Sequence, residues 1–184
     1  MVKAFMISVV ISLCLLTGCD TSAQAAKHAH FKELQNLQEL AMQSKQQQLP
    51  ILVMFGAEWC EFCQQLNEEI FTPMALNGLY EGKVVFMRHV GVDENQPIPG
   101  WDGQLIKKSR WAYALNADLT PTVLFFDGEG KEVAPRIVGI PEITLYAGLI
   151  HQHLNIAYQN MGLDKQIPIT PELLYLQARQ TQKN

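Results

Sequence analysis

Cysteine is scarce in this chain, with four in 184 residues. Cys14 and Cys19 fall in the first twenty positions, which leaves Cys60 and Cys63 for the body of the protein. A structural zinc site on such a pair needs two further ligands, usually another Cys-x-x-Cys or a histidine pair, and no other cysteine is there to supply them. A basic excess is also missing. The formal net charge is -4, so there is no electrostatic case for nucleic acid. No internal repeat is present. No apolar run is long enough for a membrane span. What remains is a chain 48% hydrophobic and 17% charged, which suits one globular domain with a sizeable core and extra segments at its ends.

The one long apolar run, residues 4–16, follows Lys3 and ends in Leu16-Thr17-Gly18-Cys19. A positive start and a short apolar stretch have the form of a secretory signal. The four-residue ending resembles the lipobox of bacterial lipoproteins. That resemblance implies a signal peptide over 1–18, cleavage before Cys19 and lipid attached through the Cys19 thiol. Asp20 after the cysteine implies retention at the inner membrane, as in enteric bacteria. Ordinary cleavage at Ala23 or Ala25, with Cys19 incidental, is the alternative. Residues 19–27 are small and polar and read as a tether. The expected location is the bacterial periplasm, lipid-anchored, a compartment where disulfides persist.

The centre of the chain is Trp59-Cys60-Glu61-Phe62-Cys63. It follows the apolar run 51–55, which suits a strand buried on both faces, and the turn Gly56-Ala57-Glu58. A helical pattern begins at or near Cys60. Unpaired N–H groups and the positive end of the helix dipole favour thiolate over thiol there, so Cys60 is expected to be the nucleophile. Cys63 is almost one turn on and close enough to close a small disulfide. The pair reads as a dithiol–disulfide redox centre.

Around it, Phe31, Leu34, Leu37, Leu40 and Ala41 recur at helical spacing and predict an amphipathic helix over 30–48. His28 and His30 precede it without a third ligand and read as linker. The redox helix is predicted over 60–70, with Phe62, Leu66 and Ile70 on one apolar face. Thr72-Pro73 reads as the cap of a second short helix reaching residue 79. A strand is expected over 83–90, with His89 at the sheet border and no role assigned. Residues 91–103 read as a loop, in which Trp101 either holds a partner or packs the loop down. A helix is expected over 104–115 and a strand over 123–126. The turn Asp127-Gly128-Glu129-Gly130 then makes 131–138 an antiparallel partner. A last helix starts after Gly139-Ile140-Pro141. His151 and His153 lie two apart on it and do not share a face. Thr170-Pro171-Glu172 opens a short terminal helix whose Leu173, Leu174 and Leu176 are expected to dock on the domain.

Strands alternating with helices and then a hairpin define an α/β chain with a mixed central sheet flanked by helices. With Cys-x-x-Cys after its first strand, residues 51–60 resemble thioredoxin. Residues 120–132, with Arg136 and Gly139, resemble SoxW-type thioredoxins and the C-terminal domain of DsbD. The resemblance implies a thioredoxin-like domain over 28–160, followed by a helical extension over 161–184. It also implies that Cys60 attacks and Cys63 resolves, with Trp59 flanking the pair. Pro121 would be a cis-proline facing the disulfide, and the backbone of Thr120 would pair with an extended substrate segment.

Two departures from that family matter. Thioredoxin has a buried Asp where this chain has Met54, so the proton of the resolving thiol needs another acceptor. Glu58 is the candidate from sequence. Glu61-Phe62 replaces Gly-Pro, and a carboxylate beside Cys60 opposes the thiolate, which makes the disulfide less oxidising.

The expected activity is thiol–disulfide exchange in the reducing direction, with no cofactor and no metal. Protein disulfides would be the substrates, a membrane protein of the DsbD kind the electron donor, and the chain a monomer. Three rivals stay open: an oxidase or isomerase of the same fold, a thioredoxin-like adaptor without turnover, and copper handling by the pair.

Overall fold

The computed structural model describes residues 31–181. The signal, the tether, Cys14, Cys19, His28 and His30 lie outside the described residues. Among those described, no helix is long and apolar enough to cross a membrane.

The sheet forms around β1 (Ile51–Gly56), which is buried along its whole length. It is flanked by β2 (Phe86–Gly91) in parallel and, on the other side, by β5 (Thr122–Phe126) in antiparallel. The short β6 (Ile137–Val138) closes that edge, giving the order β2-β1-β5-β6. Side chains alternate across the sheet. Leu52 and Met54 therefore join one core cluster, while Ile51, Val53 and Phe55 join the other. The first cluster packs against the redox helix and α5 (Tyr146–Asn160), the second against α1 (Leu37–Gln47) and α4 (Lys108–Ala114). This is a thioredoxin fold.

Several boundaries differ from the sequence expectation. The first helix starts at Leu37, not residue 30. Asn36 caps it, its Oδ1 accepting the Glu39 N–H at 3.0 Å. Residues 32–34 instead pair with the free edge of β2: His89 N–H donates to Lys32 C=O and Leu34 N–H to His89 C=O, both at 2.8 Å. Phe31 and Leu34, three apart, therefore enter opposite core clusters. Their spacing imitated a helix, and the covered edge is a protected one.

The redox helix does not break at Thr72-Pro73. It runs through α2 (Glu61–Leu66), a π-helical turn (Asn67–Phe71) and α3 (Thr72–Leu76). The wider turn falls where Pro73 offers no N–H, and Thr72 Oγ1 bonds Asn67 Oδ1 at 3.0 Å. The chain so continues through the proline. Phe62 is not on the buried face with Leu66; it is 65% exposed.

The strand expected from residue 83 begins at Phe86, because the N–H groups of Val84 and Val85 close a turn onto Tyr80 C=O. The expected loop and helix over 91–115 hold a two-stranded ladder, β3 (Pro97–Pro99) against β4 (Leu105–Lys107), ahead of α4. Proline is tolerated in such a small edge ladder. Trp101 packs the segment down, its ring 5.6 Å from Phe126 and 6.2 Å from Trp111. The hairpin partner of β5 is shorter than 131–138. After one bridge from Phe126 to Glu132, the chain leaves the ladder until Ile137. Arg136 turns aside there to pair with Glu132 and to donate to Leu115 C=O. The last core helix is entered through a 3-10 turn (Ile143–Leu145) behind a Glu142 cap. The terminal α6 (Pro171–Thr181) docks on the domain through Leu174, with Leu173 and Leu176 exposed.

Candidate active site

Gly56 ends β1, and the chain turns so that Cys60 becomes the N-cap of α2. Its Sγ accepts the backbone N–H of Cys63 at 3.1 Å. The two sulfurs are joined as a disulfide, with Cα atoms 5.2 Å apart. Both cysteines are buried, yet Trp59 and Phe62 beside them are 71% and 65% exposed. Two exposed aromatics thus flank a shielded disulfide.

The turn is held from behind. Asp93, just past β2, accepts the Glu58 N–H at 3.0 Å, and Gln64 donates to Glu58 C=O at 2.8 Å. The Glu58 side chain itself is exposed, as is that of Glu61 in the first turn of α2. Thr122 pairs with Phe55 across β1 and β5, so Thr120-Pro121 leaves the sheet at the same end as the cysteines. That peptide bond is cis. Pro121 is buried, and its carbonyl accepts the Gly139 N–H at 2.8 Å. Sequence reasoning thus named residues that the fold gathers at one end of the sheet.

It missed the charged cluster beneath them. His89 Nδ1 bonds Glu33, which also accepts from Gly91 N–H at 3.1 Å and from Lys108 Nζ at 2.5 Å. Lys108, a buried cation, donates to Glu94 as well, at 2.5 Å. Burial pushes the Glu33 carboxyl up, but hydrogen bonds from His89 and Lys108 outweigh it and hold the group below its ordinary value. Burial pulls the Lys108 ammonium down, and its two carboxylate partners more than reverse this. The signal available in sequence was weak: a titratable His89 in an apolar strand. Glu33 lay hidden in a segment with helical spacing. Among the described residues no group of three His, Cys, Asp or Glu side chains is arranged to hold a metal ion.

A model of the thioredoxin-like domain matches residues 37–154. The chain belongs to the thioredoxin-like domain family. Over 137 residues it is 26% identical to the thiol:disulfide interchange protein DsbD of Yersinia pestis, a stretch that is 73% of this chain and 20% of that protein. The chain thus spans about a fifth of the length of the curated relatives it matches. Similar solved structures include oxidised thioredoxin O2 from Arabidopsis thaliana, with 24% identity and a TM-score of 0.45 over 67% of this chain and 94% of that one. Another is DsbH oxidoreductase, with 21% identity and a TM-score of 0.46 over 78% and 94%. The thioredoxin-like fold with its closed Cys60–Cys63 pair supports thiol–disulfide oxidoreductase chemistry.

Proposed function

We propose that this chain is a thiol–disulfide oxidoreductase that reduces protein disulfides in the bacterial periplasm, tethered to the inner membrane through lipid on Cys19. The observation that carries the proposal is the closed Cys60–Cys63 pair, with Cys60 capping a helix between exposed Trp59 and Phe62. In the reduced pair the Cys60 thiolate attacks a substrate disulfide and forms a mixed disulfide. Cys63 then attacks Cys60, and the substrate leaves reduced. The backbone at Thr120 receives an extended substrate segment by strand addition. Trp59 and Phe62 contribute apolar contact, while Glu61 keeps the pair on the reducing side. Exchange needs no cofactor. A membrane donor of the DsbD kind returns the electrons, and the protein works as a monomer.

The test is the reduction potential of the pair, measured by equilibration with glutathione. Thioredoxin lies near about −270 mV and DsbA near about −120 mV. A value at the thioredoxin end supports the reductase, and Cys63→Ser should then trap substrates as mixed disulfides. A value at the DsbA end assigns the opposite direction, disulfide insertion.

A further inference from the structure

Gly56 is the last residue of β1, and its missing side chain has a chemical neighbourhood. A Cβ built there would lie 2.7 Å from His89 Nε2 and 3.4 Å from Cys63 Sγ. Both atoms therefore lie within 3.4 Å of one point. The β1–β2 register explains the approach. His89 stands beside Met54, on the face of the sheet that carries Cys63.

The imidazole is oriented for proton transfer. Its Nδ1 faces the Glu33 carboxylate, which only accepts. Nδ1 thus carries the hydrogen of the neutral ring, and Nε2, toward Cys63, holds the lone pair. Behind it, Glu33 meets Lys108, and Lys108 meets Glu94, whose side chain is 41% exposed. Glu33, from the segment before α1, bonds the ring, and the Phe31 ring lies against its edge; Lys108 from α4 and Glu94 after β2 connect to it only through Glu33. Met54, beside it on β1, is no base.

We infer that His89 is the proton acceptor for the resolving cysteine, with Glu33 as its positioning residue. The inference rests on the oxidoreductase reading above. In the mixed disulfide, the Cys63 thiol passes its proton to His89 Nε2, directly or through one water. The Cys63 thiolate attacks Cys60 Sγ. The Cys60–Cys63 bond forms and the bond from Cys60 to the substrate sulfur breaks. The electron pair leaves on that sulfur, which is protonated from solvent. The pair has been oxidised by two electrons and the substrate disulfide reduced by two. The imidazolium, held against Glu33, loses its proton to solvent. In the reverse direction the same nitrogen returns the proton to Cys63.

The experiment uses the reduced full chain with Cys14→Ser and Cys19→Ser, so that only the pair reacts. It is mixed in stopped flow with excess dithiobis-nitrobenzoate. The first release of thionitrobenzoate reports attack by Cys60 and scales with reagent. The second reports attack by Cys63 and saturates. In His89→Asn the first release is expected to stay within about twofold of the parent, while the second falls about 10²-fold near neutral pH. The slowed step should gain about tenfold per pH unit, because hydroxide then removes the proton. An unchanged second release with an unchanged pH profile overturns the inference and leaves the redox reading standing. Absence of the first release removes both. If the variant does not fold, NMR titration of the His89 ring in the unsubstituted pair decides. A different midpoint in the reduced and oxidised chain is expected from two coupled groups, and superimposable curves overturn the inference.

Discussion

The Tyr80 hydroxyl and His151 Nε2 meet at 2.7 Å in the core, 71 residues apart in sequence. His151 Nδ1 is 2.5 Å from Pro168 C=O, which fixes that nitrogen as the donor and Nε2 as the acceptor of the tyrosine hydrogen. One buried ring thus joins the loop after α3, helix α5 and the segment leading to α6. His151→Leu keeps the apolar volume and leaves a buried hydroxyl and a partly buried carbonyl unpaired. Each orphaned group costs about 1 to 3 kcal/mol, so urea unfolding should show a loss of about 2 to 4 kcal/mol. A loss below about 1 kcal/mol would mean that water replaces both bonds.

Stability should fall on mild acidification. Burial pulls His151 and His153 below the ordinary histidine value, more than their bonds to Pro168 and Pro135 carbonyls raise them. Below about pH 6.5 the unfolded chain takes up protons that these two folded rings refuse. The unfolded state then binds more protons, so stability declines with falling pH. Glu33 acts with the same sign further down, since its folded value is also depressed and its contribution is lost as pH falls through that value. Urea midpoints between about pH 8 and pH 4 should therefore drop in two stages. A flat profile from pH 7 to pH 5 would contradict the histidine part.

The sequence pattern carried the elements that are built from long, one-sided signals. The continuous apolar run before Cys60 is β1, and Thr120-Pro121 ends up at the same sheet end as the pair. It failed where two periods coincide. Phe31 and Leu34 fit a helix by spacing, but an edge pairing with His89 uses them on opposite sides of a sheet. Leu105 and Ile106 likewise fit a helix, and β3 claims them as a ladder. The Glu33–His89–Lys108–Glu94 cluster was illegible for a further reason. Its members come from four segments, and only the parallel register of β2 on β1 brings His89 under Gly56.

Gly56→Ala should be costly although the residue lies in a strand, where alanine is ordinarily the better choice. The new methyl would sit 2.7 Å from His89 Nε2 and 3.4 Å from Cys63 Sγ. Overpacking of this kind costs about 1 to 3 kcal/mol. Chemical denaturation of the oxidised chain measures it. A neutral result would mean that the His89 ring swings outward, and a lost His89–Glu33 contact would then be visible in the ring's NMR shifts.

Lys108→Met tests the buried cation. The substitution preserves most of the stem and leaves Glu33 and Glu94 facing one another without their shared partner. Breaking a buried pair from one side costs about 3 to 5 kcal/mol. Glu94 is partly solvated, so about 3 kcal/mol is expected near neutral pH. The penalty should shrink near pH 4, because an unpaired carboxylate protonates more readily than one held by Lys108. Denaturation of parent and variant at both values checks this. An equal penalty at the two pH values would show that lost packing, not charge, dominates.

Glu61 offers a test of redox poise that leaves the fold alone, because its side chain is exposed in the first turn of α2 and Cys60 is its immediate neighbour. A carboxylate there opposes the Cys60 thiolate. Replacing it by Gln stabilises the thiolate, and therefore the reduced pair, and a better-stabilised reduced form makes a disulfide more oxidising. The sign of the shift is positive. Solvent screens an exposed charge, so Glu61→Gln should raise the potential by only about 10 to 20 mV, read from equilibration with glutathione at low salt. The shift should shrink at about 1 M salt, where the screening length falls to about 3 Å. A negative shift would mean that Glu61 acts on the disulfide form, through the first turn of the helix, more than on the thiolate.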